Sequence, residues 1–444
     1  MGVAVIDKFI KNFEEKEINL HSFLFAKSDN IIAQGFYHPV NEASLQRMFS
    51  VTKSFTGVAI LLLVSEEKLR LTDEICRFYS EYVDDFTHEW ILNMSVKDLL
   101  TMQTCHNKTT YKFDPMKNWV ESFFKATPSR IPGQFFSYDT SASHVLADLV
   151  GRITGMSLLD YLRISGLKGC GFSDEAYIIN DPFHNALGGS GLMATTADLY
   201  AFAKFICNFD GRLKQLIDEA ISLQTTISTN DFHKQHVTGY GYHFWVLTNG
   251  FMAFGMGGQY IIIYPADELI LIITADTQGY IGAEQFILDS LVKLHPVLIC
   301  DNSTKSVEFR NLAIRALHDE IPPQQFRTIK YRCKSNSWDV VALEIDFLNN
   351  RIIFCFESHA QTLHFGRGEN IPDTCAFHGY AICSSGAWLK DGTFLVCCHI
   401  LDEVKGTLFL QFSFQDHEVF VFSKKIAEDC YEEFDKAFLV GCKC

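Results

Sequence analysis

Ser50-Val51-Thr52-Lys53-Ser54-Phe55-Thr56-Gly57 runs without a break into Val58-Ala59-Ile60-Leu61-Leu62-Leu63-Val64. A helix that is apolar on every side is a buried one, so this segment has to lie inside a fold with other elements packed around it. A lysine in the first turn of such a helix needs a reason. Residues three apart are neighbours on a helix, which places Ser50 and Lys53 on one face, a hydroxyl beside an amine. Burial and nearby positive charge depress an ammonium pKa, and the positive end of the helix favours an oxyanion. The pair therefore has the makings of a serine activated by an adjacent base. Taken alone, the tetrad reads more simply as Ser50 capping the helix and Lys53 snorkelling to solvent.

A chain of 444 residues exceeds what one hydrophobic core usually serves, so two domains are expected. A net charge of −15 repels nucleic acid and anionic membrane surfaces, and neither partner is expected. The first ten residues lack the basic and apolar regions of a secretory signal, and the run at 58–64 is too short to span a bilayer. A cytoplasmic protein is the expectation. Four of the fourteen cysteines precede residue 300 and ten lie from Cys300 onward at irregular spacings, which without an export signal reads as reduced thiols. Cys397-Cys398 and Cys442-Lys443-Cys444 lack the paired spacing of zinc sites. No metal and no cofactor are expected, and the oligomeric state is open.

In chain order, residues 3–16 read as an amphipathic helix. Two apolar runs around Lys27-Ser28-Asp29-Asn30 then read as a hairpin. Helices are expected from Ser95, from Trp119 and from Val145 to Thr154, the last closed by Gly155. Gly188-Gly189-Ser190-Gly191 lacks the lysine of a phosphate cradle, and close backbone packing is the reading preferred for it. Strands follow at 241–246, 251–260, 261–265 and 268–273, turning at Thr248-Asn249-Gly250 and Pro265-Ala266-Asp267. They come late in the chain and the hairpin comes early, so all of them can share one antiparallel sheet with helices packed on it. A helix from Ala283 to His295 closes this unit. Beyond Pro296 a linker helix is expected at 307–317, then short alternating strands at 340–347, 351–357, 379–383, 393–400, 407–414 and 418–422, the signature of a small barrel or sandwich.

Ser50-Val51-Thr52-Lys53, Tyr138-Asp139-Thr140 and Met256-Gly257-Gly258-Gln259 share one order and spacing with the three active-site motifs of the serine β-lactamase and penicillin-binding-protein superfamily. The chain resembles the branch of AmpC-type β-lactamases, D-aminopeptidases, family VIII carboxylesterases and 6-aminohexanoate-dimer hydrolases. The likeness extends over about residues 5–295, and the remainder more weakly resembles lipocalin-like barrels. It implies an α+β fold, an antiparallel sheet flanked by helices with an all-helical subdomain, followed by a small antiparallel β-barrel. The expected boundaries are 1–298 for the hydrolase domain, 299–325 for the linker helix and 326–444 for the β-rich domain.

The resemblance implies roles as well. Ser50 attacks an acyl carbonyl, Lys53 takes its proton and Tyr138 relays a proton, its phenol lowered by the neighbouring Lys53. The backbone N–H groups of Ser50 and of Gln259, on an edge strand, form the oxyanion hole. Gly257 and Gly258 let a small-molecule substrate lie close, with Thr140 and Met256 beside it. Penicillin-recognising members usually carry Asn where Thr140 stands and Lys or His where Met256 stands. A methionine cannot hold a substrate carboxylate, so a less acidic ester or amide ranks above a β-lactam or a D-amino-acid peptide. A ligand-sensing protein without catalysis is the reading from another class.

Overall fold

The computed structural model describes residues 2–112, 117–227, 235–277, 280–300, 306–323, 327–374, 379–427 and 437–444. Ser28 and Asp29 both take positive φ, 47° and 63°, the twist a two-residue hairpin turn demands. They fold Asn19–Lys27 back onto Asn30–His38. On its other side Asn19–Lys27 pairs with Leu269–Asp276, antiparallel, so the early hairpin and the late strands do share one sheet. Among the described residues its order is Val307–Ala313, Asn30–His38, Asn19–Lys27, Leu269–Asp276, Gln259–Tyr264, Phe251–Gly255, Trp245–Leu247 and Val237–Tyr240.

Expectations fail at several points in this sheet. The segment expected as a linker helix is the strand Val307–Ala313, pairing parallel with Asn30–His38. Val307 and Phe309 alternate with Glu308 and Arg310, a period of two. The Phe309 ring meets that of Phe23 at 5.7 Å. The expected strand at 251–260 is in fact two, because Gly257 and Gly258 take φ of 79° and 93° and turn Phe251–Gly255 back onto Gln259–Tyr264. Only glycine adopts those angles at little cost. Gln259 therefore opens an interior strand, not an edge strand.

Helices cover both faces. Every residue of Thr52–Val64 is buried, with the Phe55 ring stacked on Phe202 at 3.6 Å. Gly2–Glu15 and Ala283–Cys300 cover the other face through Phe9, Phe13, Ile287 and Leu291. Caps fall where the sequence places them. Ser95 with Asp98 and Thr195 with Asp198 form capping boxes, and Gly155 closes Thr140–Thr154 in the left-handed region.

Among the described residues, ten antiparallel strands from Thr328–Cys333 to Phe438–Lys443 form a nearly closed barrel filled by Phe354, Trp388, Phe394 and Phe412. Four of its strands, Thr328–Cys333, Ala360–His364, Ile371–Thr374 and Phe438–Lys443, are absent from the sequence reading. Each is short and offers at most two buried positions.

The glycine turn packs closely, as expected. A Cβ on Gly188 would lie 2.0 Å from that of Ala147, and one on Gly189 would lie 2.5 Å from Thr140 Cγ2. Overpacking of this kind costs about 1–3 kcal/mol. Gly188→Ala should accordingly lower the urea midpoint at an unchanged m-value, and an unchanged midpoint would refute the close packing.

Candidate active site

Ser50 sits in the turn Phe49–Val51 that leads into Thr52–Ser65. Phe49 is held at φ 45°, a strained angle for a non-glycine residue. The surroundings over-determine it. Met48 N–H donates to Leu192 O at 2.8 Å, Thr52 Oγ1 donates to Phe49 O at 2.6 Å, and Leu192 N–H donates to Thr52 Oγ1 at 3.0 Å.

Lys53 does not snorkel. It is 1% exposed, and its Nζ donates to Ser50 Oγ at 3.0 Å, Thr140 Oγ1 at 3.2 Å and Gly189 O at 2.7 Å. The same Nζ stands 4.7 Å from the centroid of the Tyr138 ring, a cation–π distance. Tyr138 stacks on Trp245 at 5.6 Å, and Ser50 is the polar side chain that opposes the burial of its phenol. Ser50, Lys53, Tyr138 and Thr140 thus meet at one point. The expectation that Lys53 lowers the Tyr138 phenol is corrected. Burial raises it, and Lys53 Nζ lies over the ring face and not beside the hydroxyl, so the side chain is a neutral hydroxyl.

Asp139 caps the helix behind Tyr138, accepting from Ser141 N–H at 2.9 Å and Thr104 Oγ1 at 3.2 Å. Burial pushes its carboxyl up to about 6 against these bonds. His243 accepts from Ser54 Oγ at its carbonyl, 2.7 Å, and its ring meets Ser143 Oγ at 3.1 Å. Burial, and then the charge of Lys53, push it down to about 3. It is a neutral support beneath the lysine.

The Met256–Gly258 turn faces the Ser50 turn, and a Cβ on Gly255 would lie 2.2 Å from Met48 O. Its polar groups are held from behind. Gly257 N–H donates to Glu284 at 2.8 Å, Thr277 N–H donates to Gly257 O at 3.1 Å, and Gln259 Nε2 donates to Met256 O at 3.2 Å. Met256 is 36% exposed. Nearby arginines serve as braces. Arg47 Nε donates to Ser190 O at 2.6 Å, and Arg130 Nε donates to Thr104 O at 3.0 Å.

Sequence reading missed the Gly189 carbonyl, His243, Glu284 and Asp139. Only Asp139 carried a signal, as a capping residue just before a helix. The sequence also offers 104–117 and 225–239 as candidate pocket walls, of which positions 113–116 and 228–234 lie outside the described residues. Thr109 Oγ1 in the first wall accepts from Thr140 N–H at 3.1 Å.

Comparison with known proteins bears on the family and the fold. The profile of the β-lactamase family, described as Beta-lactamase, matches residues 14–290. A curated relative, Protein flp of Staphylococcus aureus strain MRSA252, is 22% identical over 201 residues, 38% of this chain. That match spans 40% of the relative's own length. Among solved structures, the D-amino acid amidase of Ochrobactrum anthropi SV3 shares the fold at TM-score 0.53 and 14% identity, over 65% of this chain and 99% of that one. The octameric penicillin-binding-protein homologue of Pyrococcus abyssi has TM-score 0.53 at 15% identity, over 99% of this chain and 100% of its own. The barrel as well as the helix-and-sheet part therefore has a counterpart there.

Burial pushes the Glu284 carboxyl up to about 7, with the Gly257 N–H opposing. A carboxyl raised in the folded state favours folding at low pH, and that contribution is lost as pH climbs from the ordinary 4.5 through about 7. Glu284→Gln, which cannot ionise, should match the wild-type Tm at pH 4 and exceed it by about 2 °C or more at pH 8. Thermal melts at both pH values check this, and equal Tm at pH 8 would refute it.

Proposed function

This chain belongs to the β-lactamase family, and we propose that within it the protein is a serine hydrolase acting on a small, uncharged ester or amide through an acyl-enzyme on Ser50. The observation that carries the reading is the hydroxyl of Ser50 held by the buried Lys53 Nζ at 3.0 Å, with the Tyr138 ring centroid 4.7 Å from that same Nζ. A nucleophile within hydrogen-bond reach of its base, with that base oriented by further groups, is the arrangement nucleophilic catalysis needs.

In this mechanism Lys53, as the neutral amine, accepts the Ser50 proton while Oγ bonds to the acyl carbon. The carbonyl oxygen becomes an oxyanion held by the N–H groups of Ser50 and Gln259. As the tetrahedral species collapses, the bond to the leaving group breaks. Tyr138, a neutral phenol, donates its proton to that group and regains one from Lys53. Water then attacks the ester and loses a proton along the same route, and the acyl–oxygen bond breaks to restore Ser50. Gly257 and Gly258 keep the turn free of side chains where substrate passes. Thr140 supports Lys53 and offers its hydroxyl at the same point.

Substrate choice follows from Met256. A thioether at the turn gives a carboxylate no charge-assisted hydrogen bond, so β-lactams and D-amino-acid peptides rank below neutral esters and amides. The D-amino acid amidase fold supports amides as one class worth assaying.

A panel of p-nitrophenyl esters and anilides tests the proposal. The wild type should hydrolyse at least one, and Ser50→Ala should reduce turnover to background. Tyr138→Phe and Lys53→Met should each lower kcat by about 10²–10⁴. Undiminished turnover by Ser50→Ala would overturn the nucleophile, and nitrocefin turned over faster than every ester would overturn the substrate ranking.

A further inference from the structure

The barrel approaches the candidate site through the turn between Phe394–Leu401 and Lys405–Gln415. Glu403 O in that turn accepts from Arg47 Nη1 at 2.7 Å, three residues before Ser50, and the Glu403 carboxylate accepts from Tyr177 at 2.9 Å. Thr407 Oγ1 donates to Asp276 at 3.1 Å. Between these contacts lies Lys405, 3% exposed, whose Nζ donates to Gln259 Oε1 at 3.0 Å.

Gln259 is itself fully buried. Its side-chain nitrogen spends its two N–H groups on Met256 O and Ala275 O, at 3.2 and 2.8 Å. Its oxygen can only accept. A buried acceptor without a donor is costly, and Lys405 provides that donor from another domain. Because a lysine has donors alone, it also fixes which way round the amide sits, and so which end grips the Met256–Gly258 turn. A buried lysine is expensive to keep. Burial pushes Lys405 down to about 7, with Asp276 opposing, and its charge is felt by His21.

We propose that Lys405 is a positioning residue for the acyl-transfer site: through the Gln259 amide it holds the turn at 256–259 against Ser50, which makes the barrel a working part of the hydrolase. Its catalytic consequence rests on the acyl-enzyme reading, while the mechanical claim stands on the contacts themselves.

Full-length wild type, Lys405→Met and Lys405→Arg separate this role from that of a simple interdomain tie. Hydrogen exchange is followed at the amides of 256–259 and, as reference, in Thr140–Thr154. Ester hydrolysis provides kcat and KM. Lys405→Met should raise exchange at the turn by about tenfold with the reference helix unchanged. It should lower kcat by about 10-fold to 100-fold with KM within about twofold, a fall approaching that for losing an oxyanion donor, and Lys405→Arg, which keeps donors, should recover part of the rate. Unchanged exchange at the turn overturns the proposal, as does equal loosening of turn and helix. Lys405→Gln, a shorter donor, is read by the same criteria where Lys405→Met gives no folded protein. Should the wild type hydrolyse neither ester nor anilide, the acyl-enzyme reading fails, and the exchange comparison still decides whether Lys405 holds the turn.

Discussion

The burial of Lys53 is the constraint on which the candidate site depends. An amine with 1% exposure must find its acceptors inside the protein, and each one comes from a different piece of chain. Ser50 comes from the helix's own first turn, Thr140 from the start of a second helix, and Gly189 O from a turn that approaches closely because two glycines leave out their side chains. Collecting these acceptors is what brings the Tyr138 segment and the glycine turn to the nucleophile. The apolar helix behind Lys53 anchors the whole arrangement in the core.

Supporting groups are tuned toward neutrality. The Tyr138 phenol is raised by burial, His243 is pushed down and Asp139 up, so each tends toward its uncharged form beside the lysine. A dry, weakly charged surround strengthens the few polar interactions that remain. It also suits a neutral substrate, in keeping with the thioether of Met256 at the turn.

Much of this was legible in the sequence because it is written locally. Ser50 and Lys53 are three residues apart, Ser95 and Thr195 carry their acidic partners three residues on, and the Ser28-Asp29 turn lies between two apolar runs. The ordered triplet of motifs pointed to the family that the profile match at 14–290 shows. What escaped reading is written across distance. Val307–Ala313 keeps its two-residue alternation over only four positions, and it is a strand because the edge at Asn30–His38 receives it. Gly257-Gly258 reads equally as part of a strand or as the turn it is. Nothing near Glu284 or Lys405 in sequence announces that each grips a turn far away in the chain. The upward shift of Tyr138 comes from its burial, which spacing alone does not provide.

The central claim is that Ser50 becomes acylated. The most direct measurement is the intact mass of the full-length protein after reaction with a fluorophosphonate, followed by peptide mapping of the modified site. The account predicts a single added phosphonyl group located on Ser50 and absent from Ser50→Ala. Folded wild-type protein that stays unmodified by several such probes, or that carries the group on another residue, would contradict it.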